Sequence, residues 1–160
     1  MIARIWKPLH RLWADERGSN AIEFAILASP FLLLLLGVVQ LGIYFVAQAA
    51  LDTGVTRTAE SLRAAFYNSA TTTFPNAATL KSRVRSYSGG LVESGASLAV
   101  EIRPLTSLTS AIVPITDATN SYGTNTSVLA LRATNSVSSF IPGVPVWRVS
   151  SMALVRRQGR

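Results

Sequence analysis

Residues 24–47 read FAILASPFLLLLLGVVQLGIYFVA, an uncharged run in which Ser29 and Gln40 are the only plainly polar side chains. As an α-helix this stretch is about 36 Å long, enough to cross the hydrocarbon core of a bilayer with some tilt. A core helix apolar on every side needs apolar partners on every side, and the rest of a 160-residue chain does not offer them. The run therefore predicts a membrane-spanning helix at about 24–47. Composition agrees. Hydrophobic residues make up 49% of the chain and charged residues only 14%, and the apolar excess is concentrated between Ala21 and Ala50.

The flanks set an orientation. Arg4, Lys7, Arg11 and Arg17 precede the run, whereas the 18 residues after Ala50 carry only Arg57 and Arg63. Positive charge is retained on the cytoplasmic side, so the amino terminus is expected inside and everything beyond about Leu51 outside. Trp6 and Trp13 suit the inner interface and Tyr44 the outer one. Ile2, Ile5, Trp6, Leu9, Leu12 and Trp13 have helical spacing and fit either a helix on the inner leaflet or an irregular leader. Ala47-Gln48-Ala49 is an A-x-A pattern, and a cut after Ala49 would release a secreted domain. The apolar run is nevertheless far longer than the usual signal core of about 7–15 residues.

The residues leading into the run are Arg17-Gly18-Ser19-Asn20-Ala21-Ile22-Glu23-Phe24. Glu23 is the odd one. A carboxylate at the membrane edge costs up to a few kcal/mol unless it is paired or neutralised, so it asks for a partner. No Lys or Arg lies within the helix, and Arg17 is six residues back, nearly opposite on a helical wheel. Taken alone, Gly18 is a break between leader and span, and Glu23 a carboxylate favoured by the helix macrodipole.

Basic leader, glycine, four residues, Glu-Phe and a long apolar helix together resemble the type IV prepilin cleavage motif. The run from Arg17 to Ala25 is similar to that of the TadE-like pseudopilins of the tight-adherence (Flp/Tad) pilus system. The specific part of the resemblance covers about residues 17–50. It implies a cut by a membrane aspartyl prepilin peptidase between Gly18 and Ser19, with Glu23 the fifth residue of the mature chain. Such a cut creates an amine on Ser19. Ser19 and Glu23 are then i and i+4 on one helical face, about 6 Å apart along the axis. The amine can neutralise Glu23 of its own chain or of a neighbouring subunit. In the second case the pair fixes register, because a misplaced subunit leaves a carboxylate unpaired in a low-dielectric bundle.

Within the span, Ala21, Ala25 and Ser29 recur every four residues, a small-residue stripe on which another helix can approach, or simply abundant alanine. Pro30 cannot donate to the carbonyl of Ile26, so a kink or opened turn is expected there. Gln40 and Gln48 fit bonds to neighbouring helices or a place near the outer interface.

Beyond the span, Leu51, Val55, Ala59, Leu62 and Phe66 fall on one face at spacings of three and four, so the helix continues as an amphipathic one to about Asn68. Glu60 and Arg63 form an i, i+3 pair. Asn76 caps a short helix through about Tyr87, with Leu80, Val84 and Tyr87 on its apolar side, ended by Gly89-Gly90. Lys81, Arg83 and Arg85 are its solvated face. The period then becomes two. Leu98, Val100 and Ile102 alternate with Ala99, Glu101 and Arg103 in a half-buried strand. A weaker strand lies at Ala111–Thr116, another at 128–133, and a last one at Val146–Val155 with Val149, Met152 and Leu154 as core candidates. Residues 141–145 form a rigid loop, and Trp147 is a candidate for lateral contacts.

These elements predict an α+β fold: an amino-terminal transmembrane helix continuing into an amphipathic helix packed on a small antiparallel sheet, the pilin-like layout. The expected divisions are a leader at 1–18, a long helix at 19–68 and an extracytoplasmic domain at 69–160.

Catalysis is disfavoured by inventory. The chain has no cysteine and one histidine, His10, in the leader. No thiolate or histidine-rich metal site, Ser/His/Asp set or phosphate loop is available, and no cofactor is expected. Fifteen Lys and Arg against eight Asp and Glu give a charge of +7, but the basic residues are scattered and make no nucleic-acid face. The resemblance implies a structural minor pilin of a bacterial inner membrane, with prepilin peptidase, other pilins and pseudopilins, Tad assembly proteins and the lipid bilayer as partners. A signal-anchored periplasmic scaffold or binding protein outside any pilus is the alternative, beside the domain secreted after Ala49.

Overall fold

The computed structural model describes residues 19–68, 74–92, 97–107, 113–115, 120–124, 127–141 and 143–157. Its elements are helix α1 (Ser19–Asn68), helix α2 (Ala77–Tyr87) and strands β1 (Ala99–Pro104), β2 (Val128–Val137) and β3 (Trp147–Arg156). A long apolar amino-terminal helix and a small antiparallel sheet are the α+β arrangement that the sequence predicts. The leader, residues 69–73 and half of the weak strand expected at Ala111–Thr116 lie outside the described residues. The chain divides into two units, Met1–Gln40 and Leu41–Arg160, with the boundary inside α1.

The described part of the first unit is helical throughout. Its large side chains are open: Ile22, Phe24, Leu27, Phe31 and Leu34 are between 62% and 73% exposed, while Gln40 is buried. The second unit begins with the same helix in a different chemical phase. Ala47, Ala50, Leu51, Val55, Thr58, Ala59 and Leu62 are buried at intervals of three and four, and Asp52, Arg57, Glu60 and Arg63 are exposed. This is the amphipathic face expected from the spacing. The buried Thr58 hydroxyl donates to the Gly54 carbonyl at 2.7 Å, which removes the cost of burying it. Gly54 is where α2 comes closest: a Cβ there would stand 2.6 Å from the Val84 carbonyl oxygen.

α2 forms where the cap says it should. Oδ1 of Asn76 accepts from the Thr79 backbone N–H at 2.8 Å and its hydroxyl at 2.9 Å. Gly89 and Gly90 stop the helix with φ of 66° and 74°, a conformation that a Cβ disfavours. Leu80 and Val84 are buried, whereas Tyr87, expected beside them, is 39% exposed.

The sheet has the order β1-β2-β3, antiparallel at both junctions. Ile102 faces Leu131 and Leu131 faces Ala153, while Leu129 faces Val155. Cross-strand partners share a face, so Val100, Ile102, Leu129, Leu131, Ala133, Val149 and Val155 form one apolar layer, which joins Leu51, Val55, Leu62, Leu80 and Val84 in a single core.

Three sequence expectations are corrected here. In β3, Met152 and Leu154 are not core: they are 50% and 43% exposed, because strict alternation with the buried Val149 and Val155 puts them on the opposite face. In β1, Glu101 is not on a solvated face. It is fully buried, with its Oε1 3.0 Å from Nη1 of Arg132, the residue opposite on β2, and 3.7 Å from Arg103. Arg132 also donates to the carbonyl of Val113. Finally, 113–115 are not a strand. Pro114 has no N–H to give a ladder, and the Val113 carbonyl serves a side chain instead. The described part of the β1–β2 connection closes the β1 edge through the Ser121 N–H on the Ile102 carbonyl at 2.9 Å.

At the end of the sheet near Phe66, Phe74 stacks on Tyr122 at 4.5 Å and Phe66 meets both rings edge-on. The Tyr122 hydroxyl donates to the Pro75 carbonyl at 2.6 Å. Arg157 lies 4.7 Å over Phe74 and donates to the Gly123 carbonyl at 2.8 Å. Burial pushes the Tyr122 phenol up to about 12, against a smaller opposing pull from Arg83.

Two outcomes follow from this packing. Glu101→Leu strands the buried Arg132 guanidinium and should lower stability by about 3–5 kcal/mol, whereas Glu101→Leu combined with Arg132→Met should recover most of that loss in denaturant unfolding of the detergent-solubilised chain. The raised Tyr122 value means that the folded state favours the neutral phenol. Its contribution is complete below pH 10.0, the ordinary value, and is lost as pH rises toward about 12. Tyr122→Phe should flatten the alkaline stability profile in that window.

Candidate functional site

The candidate site is the exposed stretch of α1 from Ser19 to Gln40; a separate cluster of contacts lies wholly within the second unit, around residues 44–52. The absence of charge after Glu23 lets the helix form without any side chain demanding water, and all residues from Ser19 to Gln40 are helical. Glu23 and Phe24 are exposed, Phe24 by 73%. Ala21, Ala25 and Ser29 are exposed too, and their spacing of four places them on one helical face. Their small size leaves that line free of the bulk that Phe24, Leu27, Phe31 and Leu34 present elsewhere. Pro30 lies inside α1, whose helical run continues on both sides of it. Gly18 is outside the described residues, so the structure carries one side of the predicted cleavage point, the backbone of Ser19, and not the other.

Length and composition make α1 sufficient to cross a membrane, and none of its most apolar segment is buried by the chain itself. This is consistent with single-pass anchoring. Among the described residues no cluster of His, Asp or Glu is placed to hold a metal ion.

Around residues 44–52 the helix changes partners. Gln48, expected to reach neighbouring helices or the interface, donates through Nε2 to the Ser150 carbonyl at 3.0 Å and to Oδ1 of Asp52 at 3.2 Å. Arg63, expected to pair with Glu60, donates through Nη2 to the Leu154 carbonyl at 2.5 Å. Ser150 and Leu154 belong to β3, an edge strand, so α1 satisfies two of the carbonyls that no fourth strand takes. Nearer the apolar run, Tyr44 meets Trp147 edge-on at 5.4 Å and Phe45 at 5.8 Å. Sequence reasoning missed this junction. Its available signal was the uncharged stretch from Ala133 to Trp147, which ends on Trp147.

Comparison with protein-family models matches residues 18–60 to the family described as TadE-like protein. The match bears out the resemblance read from the residues around Gly18 and Glu23. It covers the apolar run and the first part of the amphipathic helix, and leaves the sheet unmatched. Comparisons with curated proteins and with solved structures gave no match.

Proposed function

We propose that this chain is a minor pseudopilin of a Tad-type pilus, held in the bacterial inner membrane by α1 with its amino terminus cytoplasmic and the sheet outside. The observation that carries the reading is the TadE-like match over 18–60, which takes in Gly18, Glu23 and the whole uncharged run. Prepilin peptidase cuts between Gly18 and Ser19. The glycine suits a scissile backbone that must extend closely into a protease. The released Ser19 amine is the cation that Glu23 lacks in the uncut chain.

Assembly then draws on four features of the same helix. Glu23 and the Ser19 amine set register, within one chain or between neighbours. Phe24 and the surrounding apolar side chains exchange lipid for the helices of other pilins. The Ala21, Ala25 and Ser29 line permits close approach, and the missing hydrogen bond at Pro30 gives a point where the helix can bend during packing. The role is structural, with pilins, pseudopilins and Tad assembly proteins as partners.

Amino-terminal sequencing of the membrane-extracted protein, from a host with active prepilin peptidase, should begin at Ser19. A retained Met1 would show a signal-anchored protein outside the pilus, and Ala50 a secreted domain. Glu23→Ala should leave membrane insertion unchanged and sharply reduce pilus assembly on cells. Normal piliation by that variant would refute the register role.

A further inference from the structure

We propose that the start of β3 is a second membrane contact, which lays Val146 and Trp147 into the lipid interface beside α1. The inference rests on reading residues 24–47 as the membrane span and adds to it a site on the folded domain. Its basis is a ring contact. Tyr44 and Phe45 lie in the last turn of the apolar run, and Trp147 packs edge-on against Tyr44 at 5.4 Å. All three belong to the unit Leu41–Arg160. A bilayer that reaches Ala47 along the helix therefore reaches the height of Trp147 as well.

The surface at that height is suited to lipid. Val146, the chain neighbour of Trp147, is 60% exposed, and Phe45 and Val46, the neighbours of Tyr44 on the helix, are 65% and 54% exposed. These side chains extend the apolar surface of the span onto the sheet, without a charge between Ala133 and Trp147. Tyr and Trp at such a boundary are favoured because their rings are apolar and their O–H and N–H groups find water or headgroups. The charge order continues the pattern. Arg148, exposed, follows directly and is placed to meet lipid phosphates. Two residues later the Ser150 carbonyl accepts from Gln48, so the helix leaves its apolar run at the level where β3 offers it a polar group. A contact of this kind limits rotation of the sheet about the helix axis, which a single helix does not.

The test uses the full chain with Trp6→Phe and Trp13→Phe, so that Trp147 is the sole tryptophan, in vesicles of phosphatidylcholine and phosphatidylglycerol. Carbonate washing first establishes that the chain is embedded. Replacing the phosphatidylcholine by a form brominated close to the headgroups should then quench the larger part of Trp147 emission. An NBD label on Val146→Cys should be blue-shifted and quenched too, whereas one on Thr124→Cys, near the opposite end of the sheet, should be neither. Embedded protein whose Trp147 and residue-146 probes ignore the bromine would overturn the proposal while leaving the span intact. So would emission that ignores bromine and changes with protein density, which would assign the surface to a second copy. A chain released by carbonate would refute the span and the β3 contact together.

Discussion

The structure depends on an apolar surface that its own chain does not cover. Sixteen large apolar side chains from Ile22 to Val46 are exposed by 39% to 73%. Full burial of each is worth about 1.5–3 kcal/mol, so leaving them in water would cost tens of kcal/mol. A folded domain has a net stability of only about 5–15 kcal/mol to set against that. Cover must come from lipid or from other helices, and neither environment asks for a polar group.

What changes along α1 is the partner and not the secondary structure. From Phe24 to Val46 the helix carries no charge, and Ser29 and Gln40 are its only plainly polar side chains. From Ala47 a buried line of Ala50, Leu51, Val55, Ala59 and Leu62 makes it one wall of the domain core, and Gly54 admits the backbone of α2. The helix that is long and apolar enough to cross a membrane is thus continuous with the one that lines the domain core. Gln48 and Arg63, holding carbonyls of β3, tie the edge strand to it at two heights.

Most of this was legible in the sequence because it is local. The uncharged run, the spacing of Leu51, Val55, Ala59 and Leu62, the Asn76 cap and the Gly89-Gly90 stop each declare themselves within a few residues. So did the Arg17–Ala25 pattern, which the family match supports over 18–60. The failures are non-local or a matter of phase. Glu101 looked like the solvated side of a strand, and only the β1–β2 register, which places Arg132 opposite, explains its burial. Met152 and Leu154 looked like core because they are apolar, but Val149 and Val155 had already fixed the phase of β3. Trp147 gave no hint of Tyr44, more than a hundred residues away. The proposed pairing of a Ser19 amine with Glu23 requires a processed chain and is read from chemistry.

The central claim is that residues 24–47 lie in lipid with the sheet on the outer side. The absence of native cysteine makes it directly accessible to single-cysteine labelling with a membrane-impermeant maleimide on intact spheroplasts. Cysteines at Leu32, Leu36 and Val39 should stay unlabelled even after the outer face is fully exposed, while cysteines at Thr56 and Ser121 label at once. Ready labelling within the run, or labelling at Thr56 only after the membrane is permeabilised, would contradict the span or its orientation.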